Sequence, residues 1–274
     1  MKKMKAVLLT LIMIVVSINM SVYATTVDTN EVDEFLLSLG MQRVVVDNMS
    51  ELHKFEIFNA LRADDIDELR FESFSLEAYI VPEDGDGRLV SELIVSAEDM
   101  FVPFNTIPSS DLQLTVSVFR GITSRYGETF FVFPGFQWFR TGSIRNGGFA
   151  VAMFPGWVVA PSHFPTFRIM ATCIWHGYNG SAWLDPSTAS HAGYGWNRFP
   201  MPIFLESMVF EGISSMQVLR TDPNAVRGIS MHYVRDTLNP FTASFGFSIG
   251  PASITVTGNS SRLSHMARNL GFSY

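Results

Sequence analysis

Cys173 and His176 stand three residues apart, the first place in this 274-residue chain where residue types and spacing invite chemistry. A thiol nucleophile needs a base within hydrogen-bond reach. On a strand over residues 167–175, an offset of three turns the two side chains to opposite faces. Free cysteine is also among the most buried residue types. The pair therefore reads as structural. His163, His176, His191 and Asp185 fall within 29 residues, but the histidine spacings are 13 and 15. Zinc sites in sequence usually show a tight pair, because two ligands must share one face of an element. These side chains read as loop histidines, and no metal is expected. Glu83-Asp84-Gly85-Asp86-Gly87 resembles a fragment of a calcium loop. Counting twelve positions from Asp84 reaches Val95, where a chelating glutamate is required, so the pattern fails. No Gly-x-Ser-x-Gly, phosphate-cradling glycine loop or dinucleotide fingerprint occurs. No catalytic residue and no cofactor are expected, and enzyme activity is the less favoured class.

The aromatic region is different. Trp175, Tyr178, Trp183, Tyr194 and Trp196 lie close together with His176, Asn179 and Asn197 in loop-like, Gly/Ser-containing sequence. Trp and Tyr combine an apolar body with a polar handle, which suits contact with sugar rings or a membrane interface. The five aromatics are the candidate ligand-binding residues. The competing reading is that they plug the ends of a β-sheet core, and it is the favoured one.

The elements that must position these groups are short. Val32, Phe35, Leu36 and Leu39 form one helical stripe, with Gly40 placed to cap it. Residues 41–47 allow another helical turn. A second helix starts at Ser50 as N-cap, with Leu52, Phe55, Phe58 and Leu61 spaced for one face. Asp64-Asp65-Ile66-Asp67-Glu68 reads as a charged hinge. From Leu69 the period changes to two. Leu89, Leu93 and Val95 mark one strand, after a turn at residues 82–87. Leu112, Leu114, Val116 and Val118 alternate with polar residues in a half-buried strand. Residues 130–132, 148–154 and 167–175 are further strands, 203–213 is ambiguous between strand and helix, and Phe245–Val256 forms a hairpin about Gly250-Pro251. The expected fold is mainly β: an antiparallel β-sandwich or barrel-like domain with a small N-terminal helical segment.

The first residues have the layout of a cleavable signal peptide. Lys2, Lys3 and Lys5 precede an apolar run over residues 6–18, and Val22-Tyr23-Ala24 offers a cut after Ala24. The run is short for a membrane-spanning helix, and no later stretch is long and apolar enough. The expected partition is 1–24 signal peptide, 25–67 acidic helical segment and 68–274 β domain. With Cys173 the only cysteine, no intrachain disulfide can form.

Charge divides the chain. Its net charge is −7, or −10 without the three N-terminal lysines. Residues 25–99 carry 19 acidic and 5 basic side chains, whereas 100–274 carry 7 and 11. Beyond residue 24 there is one lysine, Lys54, against 15 arginines. The bland reading is a solvated acidic face on the helices. The sharper one docks the acidic segment on an arginine-bearing β surface. No Lys/Arg run supports nucleic-acid binding.

Phe35-Leu36-Leu37-Ser38-Leu39-Gly40, the helix after Ser50, Pro108-Ser109-Ser110-Asp111-Leu112-Gln113-Leu114, Gly193-Tyr194-Gly195-Trp196 and the closing Gly271-Phe272-Ser273-Tyr274 carry one resemblance. The chain resembles a group of uncharacterised secreted β-rich proteins of Gram-positive bacteria. That resemblance implies export and β content, and no activity. Two functions are therefore expected. One is a non-enzymatic surface module binding cell-wall glycan or an anionic wall polymer. The other is a membrane-active, toxin-like exported protein shielded by its acidic N-terminal part.

Overall fold

The computed structural model describes residues 28–63, 66–76, 79–80, 105–106, 112–138, 146–161, 165–173, 178–184, 186, 188–190, 192–200, 208–236, 244–248, 253–257 and 263–271. Residues 1–24, expected as a signal peptide, and 82–87 and 89–95, expected as a turn and a strand, lie outside them.

Three helices come first: α1 (Thr29–Ser38), α2 (Arg43–Asn48) and α3 (Glu51–Ala63). Asp28 caps α1 by accepting from the Asn30 amide at 3.0 Å. Gly40 ends it at φ +94°, a left-handed position that favours glycine. The Ser50 hydroxyl accepts from the His53 amide at the start of α3, as its spacing predicts.

Sixteen strands follow among the described residues. They are β1 (Ile66–Leu76), β2 (Tyr79–Ile80), β3 (Asn105–Thr106), β4 (Leu112–Thr123), β5 (Gly127–Trp138), β6 (Asn146–Met153), β7 (Trp157–Val159) and β8 (Thr166–Cys173), then β9 (Tyr178–Leu184), β10 (Thr188–Ser190), β11 (Gly193–Pro200), β12 (Met208–Arg220), β13 (Gly228–Asp236), β14 (Ser244–Ser248), β15 (Ser253–Thr257) and β16 (Leu263–Gly271). The ambiguous stretch at 203–213 is thus strand from Met208 onward. Of the residues read as a hinge, Ile66, Asp67 and Glu68 open β1 through a bulge at Glu68, whose φ is +50°, and Asp64 and Asp65 lie outside the described residues.

The fold is mainly β, and the described strands form two large open sheets and a two-stranded hairpin sheet rather than a closed barrel. The first sheet runs β2-β1-β4-β5-β12-β8-β9, with β7 also on β12. The second runs β10-β11-β6-β13-β16-β3. All pairings are antiparallel except β3 with β16. Leu112, Leu114, Val116, Val118, Phe130, Val132, Phe136 and Phe210 of the first sheet meet Phe149, Val151, Ile229, Met231 and Tyr233 of the second in one core. β6 alternates these large inward residues with Ala150 and Ala152, which are buried on the outer side. The β14–β15 hairpin lies against β6, β11 and β13 there.

The first sheet has a second buried face. Phe119, Phe131, Phe133 and Ile213 point away from the sandwich and pack under Val32, Leu36, Val46, Leu52, Phe58 and Leu61 of the helices. β4 is therefore not half-buried as its alternation suggests. Ser117, on the side expected to face water, is 2% exposed because the helical layer covers it. The molecule has three layers: helices, first sheet, second sheet.

Phe136 is the clearest single contributor to the sandwich core, with ring contacts to Phe149, Phe210 and Tyr233 at 5.5, 5.6 and 4.7 Å. Phe136→Ala should destabilise the protein by about 3–5 kcal/mol, because neighbouring strands cannot close the cavity. Urea unfolding followed by tryptophan fluorescence checks this.

Candidate functional site

The described members of the five sequence-derived aromatics are divided between the two sheets. Tyr194 and Trp196 lie on β11 in the second sheet, and Tyr178 and Trp183 on β9 at the edge of the first. Trp175 lies outside the described residues, as do His163, His176, Asp185 and His191. Trp196 is 1% exposed and stacks on Phe167 at 4.8 Å and Phe149 at 6.2 Å, so it is a core residue. Its loop-like Gly-Tyr-Gly-Trp-Asn setting hides a strand in which Gly193 and Gly195 alternate with the two aromatics. Tyr194 is half-buried against the same core, and burial raises its phenol above the usual range. Tyr178 pairs with Cys173, and Trp183 stands opposite Arg168 in the ladder. Among the described residues, no group of His, Cys, Asp and Glu is placed to hold a metal ion.

Two constellations went unread in the sequence. The first lies under α3, at the centre of the helix-covered face. His53 is seated on Gly135: a Cβ there would come within 2.6 Å of its Nε2 and 2.9 Å of the Gly212 carbonyl oxygen. Glycine inside a strand often marks such close approach, and Pro134-Gly135 within β5 was the available signal. Burial lowers His53 from 6.5 to about 4, and the Gly212 carbonyl draws it only partly back. Nε2 makes no hydrogen bond of good geometry among the described residues. Beside it, Glu211 of β12 is 3% exposed. Burial raises its pKa, the bond to Ser50 lowers it, and the Glu51 charge adds to the rise. Glu56, one turn along α3, pairs with Arg168 of β8. Burial nevertheless raises its pKa, outweighing the guanidinium. Lys54 turns sideways to Asp33 of α1 at 2.9 Å.

The second constellation closes one end of the sandwich. Two residues beyond Val118, Phe130 and Val218 of the core stand Arg120, Glu128 and Arg220. Glu72 of β1 receives Arg70 at 3.0 Å, Arg120 at 2.8 Å and Arg227 at 3.8 Å. Glu128 receives Arg120 at 2.9 Å and Arg220 at 3.0 Å. Arg227 also lies over the Phe130 ring, 5.7 Å from its centroid. Four guanidiniums thus share two carboxylates. Planar forks of this kind match carboxylate and phosphate oxygens. Only the arginine excess is visible in the sequence, because these side chains come from β1, β4, β12 and the turn before β13.

No family model matches the chain, and no curated protein does. Similar solved structures are remote. A chain from a structure described as "pH-induced modulation of Streptococcus parasanguinis adhesion by Fap1 fimbriae" is 9% identical, over 57% of this chain and 79% of that one, with a TM-score of 0.24. A chain from a study of manganese lipoxygenase of Gaeumannomyces graminis and zonadhesin of Komagataella pastoris is 11% identical, over 62% and 53%, with a TM-score of 0.25. Overlaps this loose carry nothing over to this chain.

The buried imidazole gives a pH signature of defined sign. In the unfolded chain His53 takes up its proton near 6.5, whereas in the folded protein it does so only near 4. Its contribution to stability is therefore full above 6.5 and is lost as pH falls toward 4. Glu56 and Glu211 act in the opposite sense but are common to wild type and variant. Between pH 7 and 4, wild type should lose about 3 kcal/mol relative to His53→Leu. Urea unfolding of both proteins at the two pH values measures the difference.

Proposed function

We propose that this chain is an exported, non-enzymatic surface module that binds an anionic polymer of a Gram-positive cell wall. Its first 24 residues serve as the export signal, and the remainder works outside the cell without a disulfide. The observation that supports the ligand class is the arginine cluster of Arg70, Arg120, Arg220 and Arg227 around Glu72 and Glu128. Within it the guanidiniums outnumber the carboxylates by two. An anionic chain laid across this end would meet guanidinium edges already held in place by Glu72 and Glu128, so little side-chain entropy is lost on binding. Arg70 is 58% exposed on its side chain and is the most accessible of the four. Tyr178 and Trp183 on β9, the far edge strand of the same sheet, are the residues for contact with sugar rings.

A second reading rests on a different observation. Phe119, Phe131, Phe133 and Ile213 form an apolar sheet face covered by the helical layer. A membrane-active protein kept in solution by its acidic N-terminal segment would be built this way.

Pull-down on isolated cell walls tests the first reading. Wild type should bind, with binding weakening as salt rises, since counterion screening opposes contacts between exposed charges. Arg70→Gln with Arg220→Gln removes the surplus while leaving Arg120 between its two carboxylates. It should lower binding at least about tenfold and flatten the salt dependence, a change of about 1.4 kcal/mol. Unchanged binding and salt slope would remove this site, and Trp183→Ala separately reports on sugar contact.

A further inference from the structure

We infer that Arg120 and Arg220 form an oxyanion subsite, occupied in the free protein by the carboxylate of Glu128. A phosphodiester or carboxylate of an anionic polymer binds there by taking that carboxylate's place. This exchange rests on the arginine-cluster reading above and gives its two carboxylates opposite roles: Glu72 stays and Glu128 leaves.

The bonds at the subsite are those of a bound oxyanion. Arg120 Nη1 donates to Glu128 Oε1 at 2.9 Å, and Arg220 Nη2 donates to Oε2 at 3.0 Å. Each guanidinium thus takes one of two oxygens carried by a single atom. A phosphodiester presents the same pair of oxygens, and guanidiniums bind either group. Arg120 keeps its direction without Glu128, because its Nε donates to Glu72 Oε1 at 2.8 Å. Arg220 is held at its backbone by pairing with Trp157 of β7.

The two carboxylates differ in what they join. Glu72 is 7% exposed on its side chain and collects Arg70 of its own strand, Arg120 of β4 and Arg227 from the turn before β13. It therefore ties the first sheet to the second, and its loss would take a counter-charge from the buried Arg227. Glu128 is 40% exposed and joins β4, β5 and β12. Backbone ladders already join those three strands. Ion pairs in partial contact with water add little stability. The turn beside Glu128 does not depend on its carboxylate either. Thr129 and Thr123 bond through their hydroxyls at 2.9 Å, and the Tyr126 amide donates to Thr123 Oγ1 at 3.2 Å. Ile122, opposite Glu128 in the ladder, is itself exposed, so a displaced carboxylate has water beside it.

The exchange selects for polymers. Replacing one singly charged oxyanion by another leaves the charge at the subsite unchanged, so a small free anion gains little. A polymer seated there also brings its next charge toward Arg70, the most exposed guanidinium of the cluster. Glu128 is in this sense a built-in competitor, and its removal tightens binding.

Affinity of the full chain for poly(glycerol phosphate) and for polygalacturonate, at one fixed salt concentration, tests the exchange. Glu128→Gln should bind at least about tenfold tighter than wild type. Glu31→Gln removes the same charge from the helical layer and should change affinity less than about twofold, which separates the subsite from net charge. Arg220→Gln takes one donor from the subsite, and Glu128→Gln added to it should gain less than about threefold. Tightening on poly(glycerol phosphate) alone assigns the subsite to a phosphodiester, and on polygalacturonate alone to a carboxylate. Tightening on both assigns it to any oxyanion of that shape. If wild type binds and Glu128→Gln binds no tighter, the exchange is overturned and the arginine-cluster reading stands. The same holds for a gain matched by Glu31→Gln, or kept in full beside Arg220→Gln. Binding of neither polymer by wild type or Glu128→Gln removes both.

Discussion

A sheet that is apolar on both faces cannot be left uncovered on either, and the first sheet of this protein is such a sheet. β5 states the constraint in sequence: Phe130, Phe131, Val132 and Phe133 follow one another with no polar residue between them. Phe130 and Val132 belong to the core shared with the second sheet, Phe131 and Phe133 to the one shared with the helices. Continuous apolar runs are the mark of strands buried on both sides. Once the first sheet needs two covers, the remaining architecture follows. The second sheet supplies one through Phe149, Met231 and Tyr233, and α1 to α3 supply the other. The helices owe little to intrinsic propensity, since an isolated six-residue α2 would not persist in water. Their stability comes from the face they bury.

How much of this was legible depended on whether the signal was local. Caps and stripes are local: Asp28, Gly40 and Ser50 stand where the helices start or stop, and Val32, Leu36, Leu52, Phe58 and Leu61 are the residues that face inward. The alternation from Leu112 to Val118 located β4, and the hairpin of β14 and β15 followed from its turn. The second cover was not legible from β4 alone. Thr115 and Ser117 are the residues one expects on a wet face, and they lie beneath a layer more than 50 positions away in sequence. Trp196 misled for a related reason. Glycines around it suggested a loop, whereas Gly193 and Gly195 are the outward positions of a strand whose aromatics point into the core. The arginine cluster could not be read because sequence records how many arginines there are and not which strands carry them together.

The difference in charge between the two parts of the chain is resolved in the fold by contact. Glu72, in the acidic part, accepts Arg120 and Arg227 from the arginine-bearing part, and Glu56 does the same for Arg168. Each carboxylate is buried, so each would be costly without its guanidinium. Such pairs add little net stability, because desolvation offsets most of the attraction. What they add is register. An apolar contact between helices and a flat aromatic sheet tolerates sliding, whereas a carboxylate that must meet one guanidinium does not. Glu56 and Arg168 thereby set where α3 lies across β12 and β8.

That register explains why His53 lands on Gly135 and on no other residue of β5. Along the helix-facing side of that strand the neighbouring position is Phe133, too bulky to admit an imidazole at contact distance. The glycine makes room, and the Gly212 carbonyl lies beside the imidazole. A leucine in place of His53 would fill the same space without an unmet nitrogen. The chain keeps the polar residue within the apolar contact between the helices and the first sheet, and beside it a buried glutamate with one satisfied oxygen. Packing alone does not select such a pair.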